Sequence, residues 1–459
     1  LEAPDSPWHQ FAERLDAVGP DALASQWRRG EDVLRENGIA HNLLNDEPET
    51  ARRWNLDPIP LLLTDAEWEQ LAQGAIQRAR LWDAVLRDLY GPHSLLSSGT
   101  LPASVLYSQT NYSRPLRYLP SAGKPVLPVY ALDLARSPDG SWTVIADRTE
   151  APNGTGFALE NRIVLTEVFP ETTKALHLVR LASFFRHLRV NLHALAPPAV
   201  ENPTVVLLSP GPGDNSYFED AYLSRYLGIT LAVGEELTIR NDRLYLKTVG
   251  GLQRVHVLIR RIPENETDPL ETPTSSQLGV PGLMQAVRAG SVVVINPPGT
   301  GIAEAPALLS FLPSMSRHFF GEELTLPSIA THWSSQAPPS ALLESGPAVV
   351  KSAFDRHSFP PVFTRQLDRA GLAKLRKTIE AQPSRYVIQQ EMPFSTAPAW
   401  TGTCHEPPPV ALRLFLFAEG GSWRVLPGGL VRAATRPDSL PGLSPRGDAG
   451  SKDLWIIAS

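Results

Sequence analysis

A lysine at the end of an apolar strand is the first residue in this chain that invites chemistry. Ala348-Val349-Val350 reads as a buried strand that delivers Lys351 at its carboxyl end, where ligands bind in open α/β sheets. A lysine there suits a phosphate as a point charge. It equally suits a side chain whose stem lies along the sheet and whose ammonium reaches water. Lysine is scarce, seven against 35 arginines, so each one in apolar surroundings counts. A second strand, Tyr386-Val387-Ile388-Gln389, exits on Gln390 and Glu391. Amide and carboxylate groups at a strand end can read a purine edge or ribose hydroxyls, or simply mark the strand's exit.

Acidic residues form the next constellation. Val126–Leu134 and Trp142–Asp147 read as strands joined by the turn Pro138-Asp139-Gly140, with the turn chemistry a hairpin requires. The pairing sets Asp133 and Asp147 on neighbouring strands. Such a pair can hold Mg²⁺, which takes few protein carboxylates and keeps positions for phosphate oxygens; a solvated hairpin edge would carry the same charges. The loop from Arg148 to Gly156 includes Asn153 and Gly154, and its Gly-Thr-Gly turn can present backbone N–H groups to an anion. Ser209-Pro210-Gly211-Pro212-Gly213 lies between a strand and a helix, without the glycine spacing of a dinucleotide motif or a P-loop. Arg260 and Arg261 follow the strand Val255–Ile259, and Arg413 sits inside the apolar run Ala411–Phe415. An arginine so placed pairs with a carboxylate or a phosphate, because an unpaired buried charge is costly. The eleven histidines lack zinc-ligand spacing, and no Ser-His-Asp order stands out.

Elements must position these groups. Residues 8–95 follow helical spacing and 101–125 read as a proline-rich loop, giving an N-terminal helical region over 1–125. Residues 126–200 hold the hairpin, a further apolar strand Ile163–Val168 and a helix over 172–193. Residues 201–335 alternate strand and helix, including a strand Leu244–Lys247, as an open α/β sheet does. Residues 336–459 read as another α/β unit with a polar helix at 369–381.

Composition narrows the classes. A net charge of −6 argues against nucleic acid as a partner, and no long apolar window suggests a membrane span. A single cysteine, Cys404, rules out an intramolecular disulfide and fits a reducing, cytoplasmic setting. The chain opens on Leu1 without a signal-peptide core and closes on the strand-like Leu454-Trp455-Ile456-Ile457, so it reads as trimmed at both ends.

Together these segments resemble the circularly permuted ATP-grasp proteins, relatives of glutathionylspermidine synthase. The resemblance spans nearly the whole chain. Its most specific stretches are Ala146–Gly154 with Ala158–Arg162, Ser209–Pro212 with Tyr217–Glu219, Arg260-Arg261 with Asp268–Leu270, Leu278–Leu283, Pro427–Leu430 and Ser451–Trp455. It implies two α+β subdomains that clamp ATP, with the metal hairpin ahead of the lysine and hinge segments and a Rossmann-like substrate domain between. By that likeness Lys351, Asn153 and Gly154 contact nucleotide, Gln390 and Glu391 lie at the adenine hinge, and Asp133 and Asp147 hold Mg²⁺. Arg413, Arg148, Arg260 and Arg261 serve the reacting groups. The implied reaction joins a carboxylate, of a small-molecule or peptide substrate, to an amine through an acyl phosphate. The sequence departs from the family where the hairpin usually ends in Glu-x-Asn-x-Arg: those positions are Ala146, Arg148 and Glu150. A nucleotide-binding interaction protein without turnover is therefore the competing expectation. Members of this subgroup often continue into an all-helical domain, so a helical partner domain beyond the C-terminus is expected.

Overall fold

Side-chain alternation on the hairpin decides the largest element of the fold. Along Val129–Arg136, Tyr130, Leu132 and Leu134 point one way and Ala131, Asp133 and Ala135 the other. This strand and Trp142–Arg148 close one edge of a seven-stranded sheet. The order is Leu61–Thr64, Gly450–Ile457, Leu430–Ala433, Val410–Glu419, Val129–Arg136 and Trp142–Arg148, with Ser422–Val425 also on Val410–Glu419. Leu61–Thr64 runs parallel to its neighbour and the other pairs are antiparallel. The computed structural model describes residues 7–37, 54–109, 112, 124–197, 200–272, 277–336, 338–344, 346–355, 359–400, 407–434 and 450–457. Cys404 and the extreme ends lie outside them.

Helices cover both faces of the sheet. Tyr130, Leu132, Leu134, Leu412 and Leu414 pack on the helix Asp65–Leu89 through Leu71, Trp82 and Val85. That helix starts directly from the edge strand on a capping box. Thr64 Oγ1 accepts from the Glu67 amide at 3.2 Å, and the Glu67 carboxylate accepts from the Thr64 amide at 3.4 Å; such caps contribute about 1 kcal/mol. On the opposite face Ala131, Phe415, Phe417 and Trp455 meet Phe157 and Leu165 of Thr155–Val168 and Phe184 of Ala182–Ala194. Burying each large side chain contributes about 1.5–3 kcal/mol.

Two smaller units complete the molecule. Val293–Ile295, Val257–Arg260, Val205–Leu208 and Thr230–Ala232 form, in that order, a parallel sheet, flanked by an antiparallel meander over 237–254. Thr331–Trp333, Tyr386–Gln390, Ala348–Ser352 and Val362–Phe363 form an antiparallel sheet. The helix Arg369–Ala381 covers one face of it, Leu375 and Ile379 lying on Ala348, Val350 and Ile388. Among the described residues no helix is long and apolar enough to cross a membrane.

Several local expectations are corrected. Ile163–Val168 is not a strand but the end of the helix Thr155–Val168. That helix is buried on most sides, so its apolar run shows no clean period. The helix expected over 172–193 is broken into Pro170–Ala175 and Ala182–Ala194, with His177 at a φ of 48° in the break. Leu61–Thr64 is a strand inside the region read as helical, and Ala103–Tyr107 is a helix inside the expected loop. Leu244–Lys247 lies in the meander rather than in the parallel sheet. The segment 336–459 contributes to two sheets: Ala348–Ser352, Val362–Phe363 and Tyr386–Gln390 join the small one, whereas Val410–Glu419, Ser422–Val425, Leu430–Ala433 and Gly450–Ile457 join the large one. Strand pairing at that distance is set by packing, which local pattern does not encode.

Candidate functional site

Register decides where the hairpin acids point. Directly opposed residues of an antiparallel pair share a face. Asp133 is opposite Ala146 and Arg413, whereas Asp147 is opposite Leu132. The two carboxylates therefore face opposite sides of the sheet, and the expectation that they jointly hold one ion is corrected. On one side Asp133 Oδ1 accepts from Arg413 Nε at 2.6 Å, while Oδ2 accepts from Arg413 Nη2 at 3.1 Å and Arg148 Nε at 2.8 Å. These guanidinium groups outweigh desolvation and hold the Asp133 carboxyl below its ordinary range. On the other side Asp147 takes both prongs of Arg78, at 2.7 and 2.8 Å, and the Tyr130 hydroxyl at 2.5 Å. Arg78 sits fully buried among Ala75, Ala79 and Trp82 on the long helix. An arginine on that apolar stripe is the signal that foretells a buried acid.

The loop after the hairpin is fastened by the molecule itself. Glu304 Oε1 accepts from the Thr149 and Glu150 amides at 2.7 and 2.8 Å. Arg260 donates to the backbone oxygens of Asn296, Ile262 and Glu150. Arg261 pairs with Asp220 at 2.7 Å and Glu219 at 3.0 Å and donates to the Pro152 carbonyl. Gly154, at a φ of 111° that favours glycine, gives its amide to Glu219 Oε1 at 2.7 Å, and Gly156 does so at 3.1 Å. The anion at this turn is thus Glu219, seated at the start of Thr155–Val168. Asn153 accepts from Arg413 Nη1 at 2.8 Å. Asn153, Gly154, Arg260, Arg261 and Arg413, all expected to serve nucleotide or substrate, are engaged by protein groups. The Ser209 turn is also internal: Ser209 Oγ donates to Asp220 Oδ2 at 2.8 Å.

The open chemistry lies between the hairpin edge and the small sheet. Helix Arg369–Ala381 takes the Ala348, Val350 and Ile388 face, so alternation turns Val349, Lys351 and Gln389 to the other. There Lys351, Ser352 and Gln389 meet Asp147, Arg148 and Glu304 around a cleft of 170 Å³. The Lys351 ammonium makes no hydrogen bond or ion pair among the described residues; burial, then Arg148, brings it down to about 8. Gln389 is 1% exposed; it donates to Thr331 Oγ1 at 3.0 Å, and its Oε1 has no partner among the described residues. Burial pushes the Glu304 carboxyl up to about 7 despite Arg148. Gln390 and Glu391 are not on this cleft. Gln390 falls on the other face of its strand, and Glu391 pairs with Arg365 at 2.5 Å. The amide that lines the cleft is Gln389, one residue before the pair expected there. A larger cavity of 370 Å³ between Trp8, Phe11 and Leu412 is apolar. It lacks converging charges, so the smaller cleft is the better site.

The Lys351 ammonium fits a nucleotide's phosphates, and the Gln389 amide oxygen, an acceptor, fits a donor such as a ribose hydroxyl or a base amino group. The hairpin carboxylates do not fit the Mg²⁺ expected there, because arginines close both. Among the described residues no group of three or more His, Cys, Asp or Glu side chains is placed to hold a metal ion.

Known proteins agree with this architecture. An uncharacterized Mycobacterium tuberculosis (strain ATCC 25618 / H37Rv) protein is 33% identical over 99% of this chain and 54% of its own length. The chain thus spans about half the length of the mycobacterial relatives it matches first. An uncharacterized Synechocystis protein (strain ATCC 27184 / PCC 6803 / Kazusa) is 32% identical over 99% of this chain and 95% of its own. The apo structure of a glutathione synthetase-like effector from Globodera pallida superposes with a TM-score of 0.56, covering 96% of this chain and 97% of that one, at 12% identity. That likeness speaks for the fold alone. The model of the circularly permuted ATP-grasp type 2 family matches residues 60–434. The chain belongs to that family, whose chemistry is of the ATP-dependent ligase type and which generally uses ATP and Mg²⁺.

Proposed function

We propose that this protein is an ATP-dependent carboxylate–amine ligase that works through an acyl phosphate, with the nucleotide's phosphates in the Lys351 cleft. One observation carries the reading. In a chain of this family, a partly buried ammonium that pairs with no acid among the described residues lines a cleft beside Arg148. Holding the Lys351 ammonium beside a guanidinium without a carboxylate of its own is unfavourable, and a phosphate chain relieves it through charge-assisted hydrogen bonds. In the proposed reaction a substrate carboxylate oxygen attacks the γ-phosphorus. The bond to the β-phosphate oxygen breaks and ADP leaves. An amine nitrogen then attacks the acyl carbon, phosphate departs with the C–O electrons, and the amine sheds a proton. Lys351 and Arg148 would hold the migrating charge in place, which is most of what such transfers ask of a protein.

The test is calorimetric titration of ATP into the intact chain and its Lys351→Ala variant. Binding should weaken by about 10–100-fold in the variant, the loss of one charged hydrogen bond. Sustained ADP release should appear only with a carboxylate and an amine both supplied, a carboxylate alone giving at most one equivalent. Absence of ATP binding, or an unaffected variant, removes the reading. A second reading, nucleotide binding without turnover, draws support from the arginine closure of Asp133 and Asp147. It is favoured if ATP binds yet no pair of substrates releases ADP.

A further inference from the structure

The buried acids of the hairpin already own all the cations they need. Asp133 has both oxygens engaged by Arg413 and Arg148, and Asp147 has both engaged by Arg78, with Tyr130 added on Oδ1. A divalent ion seated on either would displace a guanidinium and strand its charge out of water. Arg148 is the cation of this set that also lines the cleft. Its Nε and Nη2 hold Asp133 at 2.8 and 2.7 Å, its Nη1 lies 3.7 Å from Glu304, and its side chain lines the space shared with Lys351. The cleft's other carboxylate, Glu304, has one oxygen committed to the amides of Thr149 and Glu150.

We propose that Arg148 supplies the positive charge that a protein-held divalent ion would bring, so that the cleft takes a free nucleoside polyphosphate on Lys351 and Arg148 without a metal ligated by the protein. This inference rests on the nucleotide reading above. Its consequence is electrostatic. Complexed ATP carries two fewer negative charges than free ATP, so a site made of two cations holds the free form at least as firmly. A site that ligates the metal loses affinity when the metal is withdrawn.

The experiment is calorimetric titration of ATP into the full chain in excess MgCl₂ and again in excess EDTA. Affinity in EDTA should stay within about threefold of that in MgCl₂, or rise. A loss of about tenfold or more in EDTA overturns the inference and leaves nucleotide binding standing. No binding in either buffer overturns both. Arg148→Asn provides the converse, returning an oxygen donor beside Asp133 and freeing one carboxylate oxygen. This variant should acquire a dependence on MgCl₂ of about tenfold or more; binding indifferent to MgCl₂ would overturn the assignment to Arg148. The two wild-type titrations decide the matter even if the variant does not fold.

Discussion

Across one cleft, the hairpin edge and the lysine strand treat charge in opposite ways. On the hairpin side Asp133, Asp147 and, on the helix Tyr217–Leu227 behind the loop, Glu219 each meet arginine at 2.6–3.0 Å. On the other side Lys351 and Gln389 face the same space with an ammonium and an amide oxygen that no described group satisfies. Satisfied buried networks hold a fold in one arrangement, whereas unsatisfied groups are kept at a cost that a ligand can offset. Residue type alone does not separate the two, since both sides are made of charged and amide groups. What separates them is whether the partner is covalently part of the chain.

The comparison can be broken at its closed side first. Arg78→Ala would leave the Asp147 carboxylate buried with only the Tyr130 hydroxyl, and Arg78 is fully buried. Equilibrium urea unfolding should show a loss of about 3–5 kcal/mol. A loss under about 1 kcal/mol, the range of exposed pairs, would mean that this network is not closed as described.

Glu219→Gln is the next largest. The amide can still accept from Gly154 and Gly156, but the Arg261 guanidinium loses one of its two carboxylates, Asp220 remaining. Denaturant unfolding should fall by about 1.5–3 kcal/mol. ATP affinity should stay within about twofold, because the turn's anion is internal. A strong loss of nucleotide binding with unchanged stability would return Gly154 and Gly156 to the ligand.

The open side should respond to pH. Lys351 is brought down to about 8 by burial and Arg148. Its folded pKa lies below the ordinary lysine value, so the ammonium is present below about 8 and drains away above it. Anion affinity should therefore fall as pH rises through 8, by at most tenfold per unit. Lys351→Arg, which stays protonated, should flatten the profile over pH 7–10. An identical slope in both proteins would show that some other group is titrating.

Much of the fold was legible in the residues. Pro138-Asp139-Gly140 announced the hairpin, and the apolar runs ending in Lys351 and Gln389 announced their strands. The site was legible only in part. Lys351 and Arg148 line the cleft, but Gln389 rather than Gln390 accompanies them, and Glu304 carried no signal beyond a glycine-rich stretch. Period-two alternation makes a one-residue error a change of face, and that is the distance between Gln389 and Gln390.

By itself, then, the sequence determined the strand ends, the helix starts and the kinds of charge available, because these follow from backbone propensity and apolar spacing. Only the tertiary structure decided which charges cancel. Asp147 lies 69 residues from Arg78 and Asp133 lies 280 from Arg413. Nothing local couples such pairs; they meet because helix Asp65–Leu89 and strand Val410–Glu419 pack on the same hairpin. Lys351 pairs with no acid among the described residues for the same reason: the elements packed around it bring Arg148 to its cleft, while Asp147 is taken by Arg78 and Glu304 accepts from the loop amides.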